Sequence, residues 1–461
     1  MQVIRCTLLA LTLAAGSLPA QASRNVILFI GDGMDDHQIS IARNYLVGAR
    51  GRLTLDGMPL RGVSQVLTVS EEGDPVYVAD SANSATAMAT GEITSRGRIA
   101  TSAGTDKPLK TIVEIIEPRG FRTGLVATSS VTDATPASFV AHINMRFCEN
   151  PEAIHGVEIG PVKLPDCPAY TRANGGPGSI SEQIAESDVD VVLGGGSKHF
   201  NLPAEGMDMT VAQLARNNGY HVVESRDALA GVPADGKLLG LFSPSTMPVR
   251  LQGEDRREAE SAEASWANHL HPYLGSVELP AVMDCEPNPD FASMPSLKQM
   301  TDVALARLEN ETGFFLMVES ASIDKQSHER KPCGSIGELE QLEEALQSAL
   351  AFAEKNPETL IIVTADHAQA AQMIPEESLF ARYPIPVYTP GKVARIRTPE
   401  GAVLAVNYAT NNFSYEEHTG ANVPVFANRE GFGRVAPMIT QPDLFAIMLD
   451  YLLEGEAQAA P

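Results

Sequence analysis

The sequence predicts an α/β protein with a doubly wound, mostly parallel central sheet, flanked by helices and carrying surface insertions. Three observations lead there. Short, uninterrupted apolar runs recur along the chain, as expected of strands buried on both faces of a parallel sheet. Helical patterns lie between them, and strand–helix alternation is the signature of this architecture. Polar, chemistry-bearing residues gather where the apolar runs stop, which is where open α/β sheets bind ligands.

The first run is NVILFI at 25–30, ending at Gly31-Asp32-Gly33. Next comes DSANSATAMATG at 80–91, where Ser81 opens a predicted helix and Gly91 closes it. A helix N-terminus favours anions such as phosphate. No histidine neighbours Ser81, and a bare hydroxyl needs a base or a metal to become a nucleophile. TGLVA at 123–127 and VDVVL at 189–193 read as further strands. Gly194-Gly195-Gly196 lacks the Lys-Ser/Thr partner of a phosphate loop and reads as a tight turn. The stretch 253–275 is an acidic surface insertion, with a solvated helix expected around 254–265. GFFLMV at 313–318 and TLIIVT at 359–364 are two more strands, and 339–352 carries leucines and alanines at helical spacing. A Pro-rich loop follows at about 378–398.

Asp32, Glu319 and the Asp366-His367 pair each follow one of these strands. Asp324 and His328 are four residues apart and share one face of a helical turn. His418 lies in the polar turn 416–420. Mixed carboxylate and imidazole ligands suit zinc, and oxygen-only ligands suit magnesium. A serine oxygen next to such cations loses its proton near neutral pH without a histidine base. The remaining seven of ten histidines, His142 in an expected apolar helix among them, read as structural.

The 461 residues carry Asp+Glu 58 against Lys+Arg 34, a formal charge of −24. That balance argues against nucleic acid or an anionic membrane as partner. Residues 1–22 have a basic start, an apolar stretch and a small-x-small end at Ala20-Gln21-Ala22, the pattern of a cleaved signal peptide. An exported, periplasmic or secreted, chain of 23–461 is expected, folded as a single catalytic domain. Four cysteines remain in it, Cys148, Cys167, Cys285 and Cys333. An even number in an exported chain suggests two disulfides. Three pairings are possible, and proximity favours Cys148–Cys167 with Cys285–Cys333.

Six separated motifs, in order, resemble those of the bacterial alkaline phosphatase family: IGDGM at 30–34, DSA at 80–82, DATPA at 133–137 with Arg146 downstream, VESASIDKQSH at 318–328, TADH at 364–367 and EHTG at 417–420. The resemblance runs from Asn25 to about Leu453. It implies a phosphomonoesterase that releases inorganic phosphate through a phosphoserine at Ser81. It implies two Zn2+ and one Mg2+ per chain: Asp324, His328 and His418 on one zinc; Asp32, Asp366 and His367 on the other; Asp32, Thr135 and Glu319 on magnesium. Arg146 is implied to clamp the phosphoryl oxygens, with Asp133 and Lys325 beside the ligands, and a homodimer is implied. Two departures stand out: the acidic insertion looks longer than usual, and Ser320 replaces a usual Gly next to Glu319. A sulfatase or phosphodiesterase on the same scaffold is the alternative, but Ser81-Ala-Asn-Ser-Ala85 lacks the Cys/Ser-x-Pro-x-Arg run of sulfatases. A non-enzymatic zinc or phosphate binder would leave Ser81 and Arg146 without a purpose.

The charge generates one prediction. Screening shortens from about 10 Å at 0.1 M salt to about 3 Å at 1 M. Self-repulsion of the −24 chain should ease accordingly, so the melting temperature should rise in molar NaCl. A flat or falling melting curve series would remove salt adaptation as the reason for the acidity.

Overall fold

The computed structural model describes residues 23–271, 273–376, 383 and 389–454. The predicted signal peptide 1–22, and residues 378–382 and 384–388 of the Pro-rich loop, lie outside the described residues.

Ten strands form one sheet: β1 (Arg24–Gly31), β2 (Leu60–Gln65), β3 (Arg122–Ser130), β4 (Val191–Gly195), β5 (Tyr220–Val223), β6 (Lys237–Leu241), β7 (Gly313–Ser320), β8 (Thr359–Ala365), β9 (Val423–Ala427) and β10 (Met438–Thr440). Their order is β10-β2-β9-β8-β1-β7-β3-β4-β6-β5. All neighbours from β8 to β5 are parallel. Only β9 runs against its neighbours, β8 and β2. The five strands expected from the apolar runs are the interior of this sheet.

Alternation along β1 explains why its run is continuous. Val26, Leu28 and Ile30 pack into one core, and Ile27 and Phe29 into the other. Helices α1 (Asp36–Leu46), α2 (Ser81–Thr90), α3 (Leu297–Leu308), α4 (Ser322–His328), α5 (Pro332–Lys355) and α6 (Gln441–Leu453) cover the faces. The expected helix at 339–352 is the middle of α5. Its start at Pro332 uses the fixed proline φ, which suits a first helical turn. Both favoured disulfides are formed, Cys148–Cys167 and Cys285–Cys333.

The acidic insertion departs from the expected surface helix. Asp255 and Arg256 take positive φ values of 54° and 59°, which a helix cannot contain. Ala259 and Ala262 are buried, while Arg257 pairs with Glu260 at 2.7 Å. The segment runs through a 3-10 turn at Glu254–Arg256 and two-residue strands, Glu260–Ser261 and Glu263–Ala264, and its α-helical stretch among the described residues is Trp266–Leu270. Glu260–Ser261 joins a second, smaller sheet with Lys392–Arg397, Val403–Tyr408 and Gln372–Ile374. The end of the predicted Pro-rich loop is therefore a strand. His142 also differs from expectation. It sits outside any helix, with Nδ1 on the Ala100 carbonyl at 2.9 Å and Nε2 on Glu114 at 3.1 Å, a structural role as expected.

Beneath the start of β3, burial pushes the Glu117 carboxyl up to about 7, and the charges of Asp188, Asp190 and Glu114 add to the push. Thr123 Oγ1 donates to it at 2.9 Å. An unfolded glutamate titrates near 4.3. The folded chain therefore favours the neutral form, and this stabilisation is lost as pH rises from the unfolded value through about 7. Glu117→Gln should raise the melting temperature above wild type at alkaline pH, and the gap should close in mild acid. Parallel pH profiles for the two proteins would refute this.

Candidate functional site

The site begins with strand register. Ile30 pairs with Glu319 and Thr364, and Gly31 with Ser320 and Ala365. Asp32, Glu319 and Asp366 therefore leave the sheet at one level. Gly33 turns the chain at φ 68°, and a Cβ there would lie 3.1 Å from the Asp324 Cβ and 2.8 Å from the Gln369 Cγ. Only glycine suits both the conformation and the approach.

Ser81 is the first residue of α2. Asp80 caps that helix by accepting from the Asn83 N–H at 3.1 Å, and Asn83 bonds back. Gly91 ends it at φ 77°. The Ser81 hydroxyl lies 3.2 Å from His367 Nε2 and 3.5 Å from Asp32 Oδ1. His367 Nε2 is in turn 3.3 Å from Asp32 and 3.5 Å from Asp366.

A second group adjoins the first. Asp324 and His328 share one face of α4, 3.2 Å apart. His418 Nε2 is 3.4 Å from Asp324 and 3.0 Å from His328 Nε2. Asp324, His328 and His418 could hold one cation, and Asp32, Asp324 and His367 another. Asp366 comes close to this second group through His367. Nδ1 of His328 meets the Glu416 carbonyl at 2.5 Å, and Nδ1 of His418 meets the Ala79 carbonyl at 2.9 Å. Bonds of this kind place the proton on Nδ1 and leave Nε2 free to bind a metal.

Glu319 receives the Ser129 hydroxyl at 2.9 Å. Thr135 Oγ1 is buried against it without a hydrogen bond of ordinary geometry, and buried Asp366 Oδ2 has no hydrogen-bond partner. Orphaned buried oxygens cost stability unless something else satisfies them. The hard oxygen donors and the Nε2 atoms are a fitting donor set for divalent cations.

Charge in the site points the same way. Burial raises Asp32 well above the usual carboxylate range, and Asp366, Asp324 and Glu319 raise it further. Burial and the charge of Asp133 push Glu319 up to about 8. Burial lowers His367 to about 4. Burial opposes the charge on His418, yet Asp324 outweighs it and lifts the imidazole to about 9. Asp133 is also opposed by burial, but Lys325 and Arg146 hold it well below its usual value. Lys325 reaches Asp133 at 2.5 Å, and Arg146 bridges Asp133 at 2.9 Å and Asp80 at 3.2 Å.

Every residue singled out in the sequence for this chemistry thus lies in one neighbourhood. Ser320 points away from it. Its hydroxyl donates to the Glu338 carbonyl at 2.9 Å, tying β7 to α5 instead of disturbing Glu319. Sequence reasoning missed Gln369, whose amide donates to Asp324 at 2.5 Å. Its place three residues after Asp366 was the available signal. The Ala79 and Glu416 carbonyls had none, because every residue carries such a group.

A serine at a helix N-terminus, facing carboxylates and imidazoles with an arginine fork beside it, is the equipment of metal-assisted phosphoryl transfer. The family model described as alkaline phosphatase matches residues 23–409. The chain is 41% identical to the streptomycin-6-phosphate phosphatase of Streptomyces griseus, over 95% of this chain and 92% of that protein. It is 39% identical to the alkaline phosphatase of Escherichia coli K12, over 94% and 86%. The solved alkaline phosphatase of the Antarctic bacterium TAB5 shares the fold, with a TM-score of 0.65, 22% identity, and 94% and 99% coverage. The chain belongs to the alkaline phosphatase family.

Family membership implies metal dependence, and the buried charge shows where removal of metal would be felt. Chelation should lower the melting temperature, since a ligand bound only by the native state stabilises it. An unchanged melting curve in chelator would separate these carboxylates from any bound cation.

Proposed function

We propose that this chain, a phosphomonoesterase by family, is an exported enzyme that hydrolyses phosphate monoesters through a phosphoserine on Ser81. The observation that carries the reading is the Ser81 hydroxyl at a helix N-terminus, 3.2 Å from His367 and 3.5 Å from Asp32. Export is supported by the two disulfides. No helix among the described residues is long and apolar enough to cross a membrane. The mature chain, 23–461, acts as one catalytic domain and pairs as a homodimer in which each chain supplies a complete site.

Asp32, Asp366 and His367 would hold one zinc beside Ser81. Asp324, His328 and His418 would hold the other, and Asp32, Thr135 and Glu319 a magnesium. When bound, these cations supply charge to the phosphoryl oxygens and lower the pKa of the hydroxyl and of water. Ser81 attacks phosphorus in line, forming the serine–phosphorus bond as the ester bond breaks. The departing alcohol leaves opposite Ser81, toward His328 and His418. Water then attacks the phosphoserine and releases inorganic phosphate, and the two displacements give net retention. The N-terminus of α2 adds its partial positive charge to the phosphoryl group.

Arg146 fits the dianion. Asp80 and Asp133 hold its guanidinium from two sides, so the fork is oriented before substrate arrives. A monoester offers three non-bridging oxygens, and a planar fork takes two at once. A diester has one charge less and a second substituent to accommodate.

The direct test is phosphate release from an aryl phosphomonoester with and without chelator, and then with zinc and magnesium restored. Full activity of metal-free protein would overturn the mechanism. Arg146→Ser should lose about 10²–10³ in kcat/KM on the monoester, as for loss of one preorganised donor, and much less on the matched diester. Equal losses on both would make Arg146 a support of the fold rather than a selector of the dianion.

A further inference from the structure

The loop 410–417 is held with unusual firmness for a surface segment. Arg330 is only 2% exposed and Glu416 only 1%, and they pair at 2.6 Å. The same guanidinium donates to the Ser414 carbonyl at 3.1 Å and the Phe413 carbonyl at 2.9 Å. Glu416 also accepts from the Thr410 N–H at 2.6 Å and the Asn411 N–H at 3.2 Å, and its own N–H meets the His328 carbonyl at 3.0 Å. Burying an ion pair carries a desolvation penalty, and here its hydrogen bonds go into the backbone of one short loop. Retention of His418 does not require all of this, because the Ala79 carbonyl already holds its ring.

What the loop presents is aromatic. Phe413 is 71% and Tyr415 56% exposed. The Tyr415 ring meets the His328 ring edge-on, with centroids 6.5 Å apart and planes at 66°. His328 lies on the side toward which the alcohol departs in the mechanism above. A rigid, half-exposed aromatic ring next to that position is a surface on which the organic part of an ester can lie, and such rings add to binding beyond the area they cover.

We infer that Tyr415 is a specificity-determining residue for the alcohol half of the ester, and that it favours phosphomonoesters of aryl alcohols over those of small acyclic ones. The inference rests on the phosphomonoesterase reading for the side on which the alcohol leaves. Tyr415 contacts the leaving group and not the phosphoryl group. Its loss therefore separates substrates by their organic part.

The test compares wild type, Tyr415→Ala and Tyr415→Phe with metals in place. For Tyr415→Ala, kcat/KM on phenyl phosphate should fall about threefold to tenfold, the range for one aromatic contact, and on ethyl phosphate less than about twofold. Tyr415→Phe should restore the preference. Titration calorimetry gives a readout apart from turnover. Phenylphosphonate should bind Tyr415→Ala more weakly by the same factor, and methylphosphonate and inorganic phosphate should bind as to wild type. Equal losses on both esters, or none on either, would overturn the inference, as would unchanged phenylphosphonate affinity. If wild type cleaves neither ester, the phosphomonoesterase reading fails instead, and the phosphonate titration still tests the ring.

Discussion

The structure is organised around carboxylates held too close together. Asp32, Glu319, Asp324 and Asp366 are all buried at one sheet edge, where like charges in a poor dielectric repel strongly. No single residue relieves this. Lys325 and Arg146 both pair with Asp133, and His328 and His418 both pair with Asp324. Asp32 is raised well above the usual carboxylate range by burial and by three neighbouring acids. A fold that holds such a cluster needs a rigid frame. The frame here is a set of parallel strands buried on both faces, with their ends in register.

That frame was largely legible in the sequence, for a physical reason. Strands covered on both faces need apolar residues at every position, so β1, β3, β4, β7 and β8 appear as unbroken runs. Because parallel strands end together, the polar residues just beyond them converge, and Asp32, Glu319, Asp366 and His367 could be picked out from the runs. The rest of the sheet was less visible. β2 alternates exposed and buried residues over LRGVSQ, a weak signal, and β5 is only four residues long. The acidic insertion misled because its composition suits a helix, while the positive φ values at Asp255 and Arg256 are set by local turn geometry. Motif resemblance supplied what periodicity could not, namely which polar residues act together.

Backbone atoms form the layer that no sequence reading reaches. The Ala79 and Glu416 carbonyls fix the tautomers of His418 and His328, and neither side chain matters for that. Both carbonyls belong to segments that also carry other site features. Ala79 comes two residues before Ser81, so the segment that orients a ligand imidazole also delivers the nucleophile. Glu416 comes two residues before His418, and its side chain anchors Arg330. Small errors in either segment would move a ligand and its neighbours together, which explains why so much hydrogen bonding is invested there.

Asp80 shows the same economy within one side chain. It caps α2 through the Asn83 N–H, receives the Gly97 N–H at 3.0 Å and receives Arg146 at 3.2 Å. The Arg146 N–H in turn meets the Gly97 carbonyl at 2.7 Å. The helix bearing Ser81 and the guanidinium proposed to grip the phosphoryl oxygens are thus referred to one carboxylate. Their separation is set through hydrogen bonds to one carboxylate instead of by the long path through residues 82–145. In-line displacement is intolerant of misplacement on the ångström scale, so this shared anchor is where nucleophile and clamp are kept in step. It also gives a reason for the acid immediately before the serine: from the cap of the helix this side chain reaches a helix amide, the Gly97 loop and the arginine together.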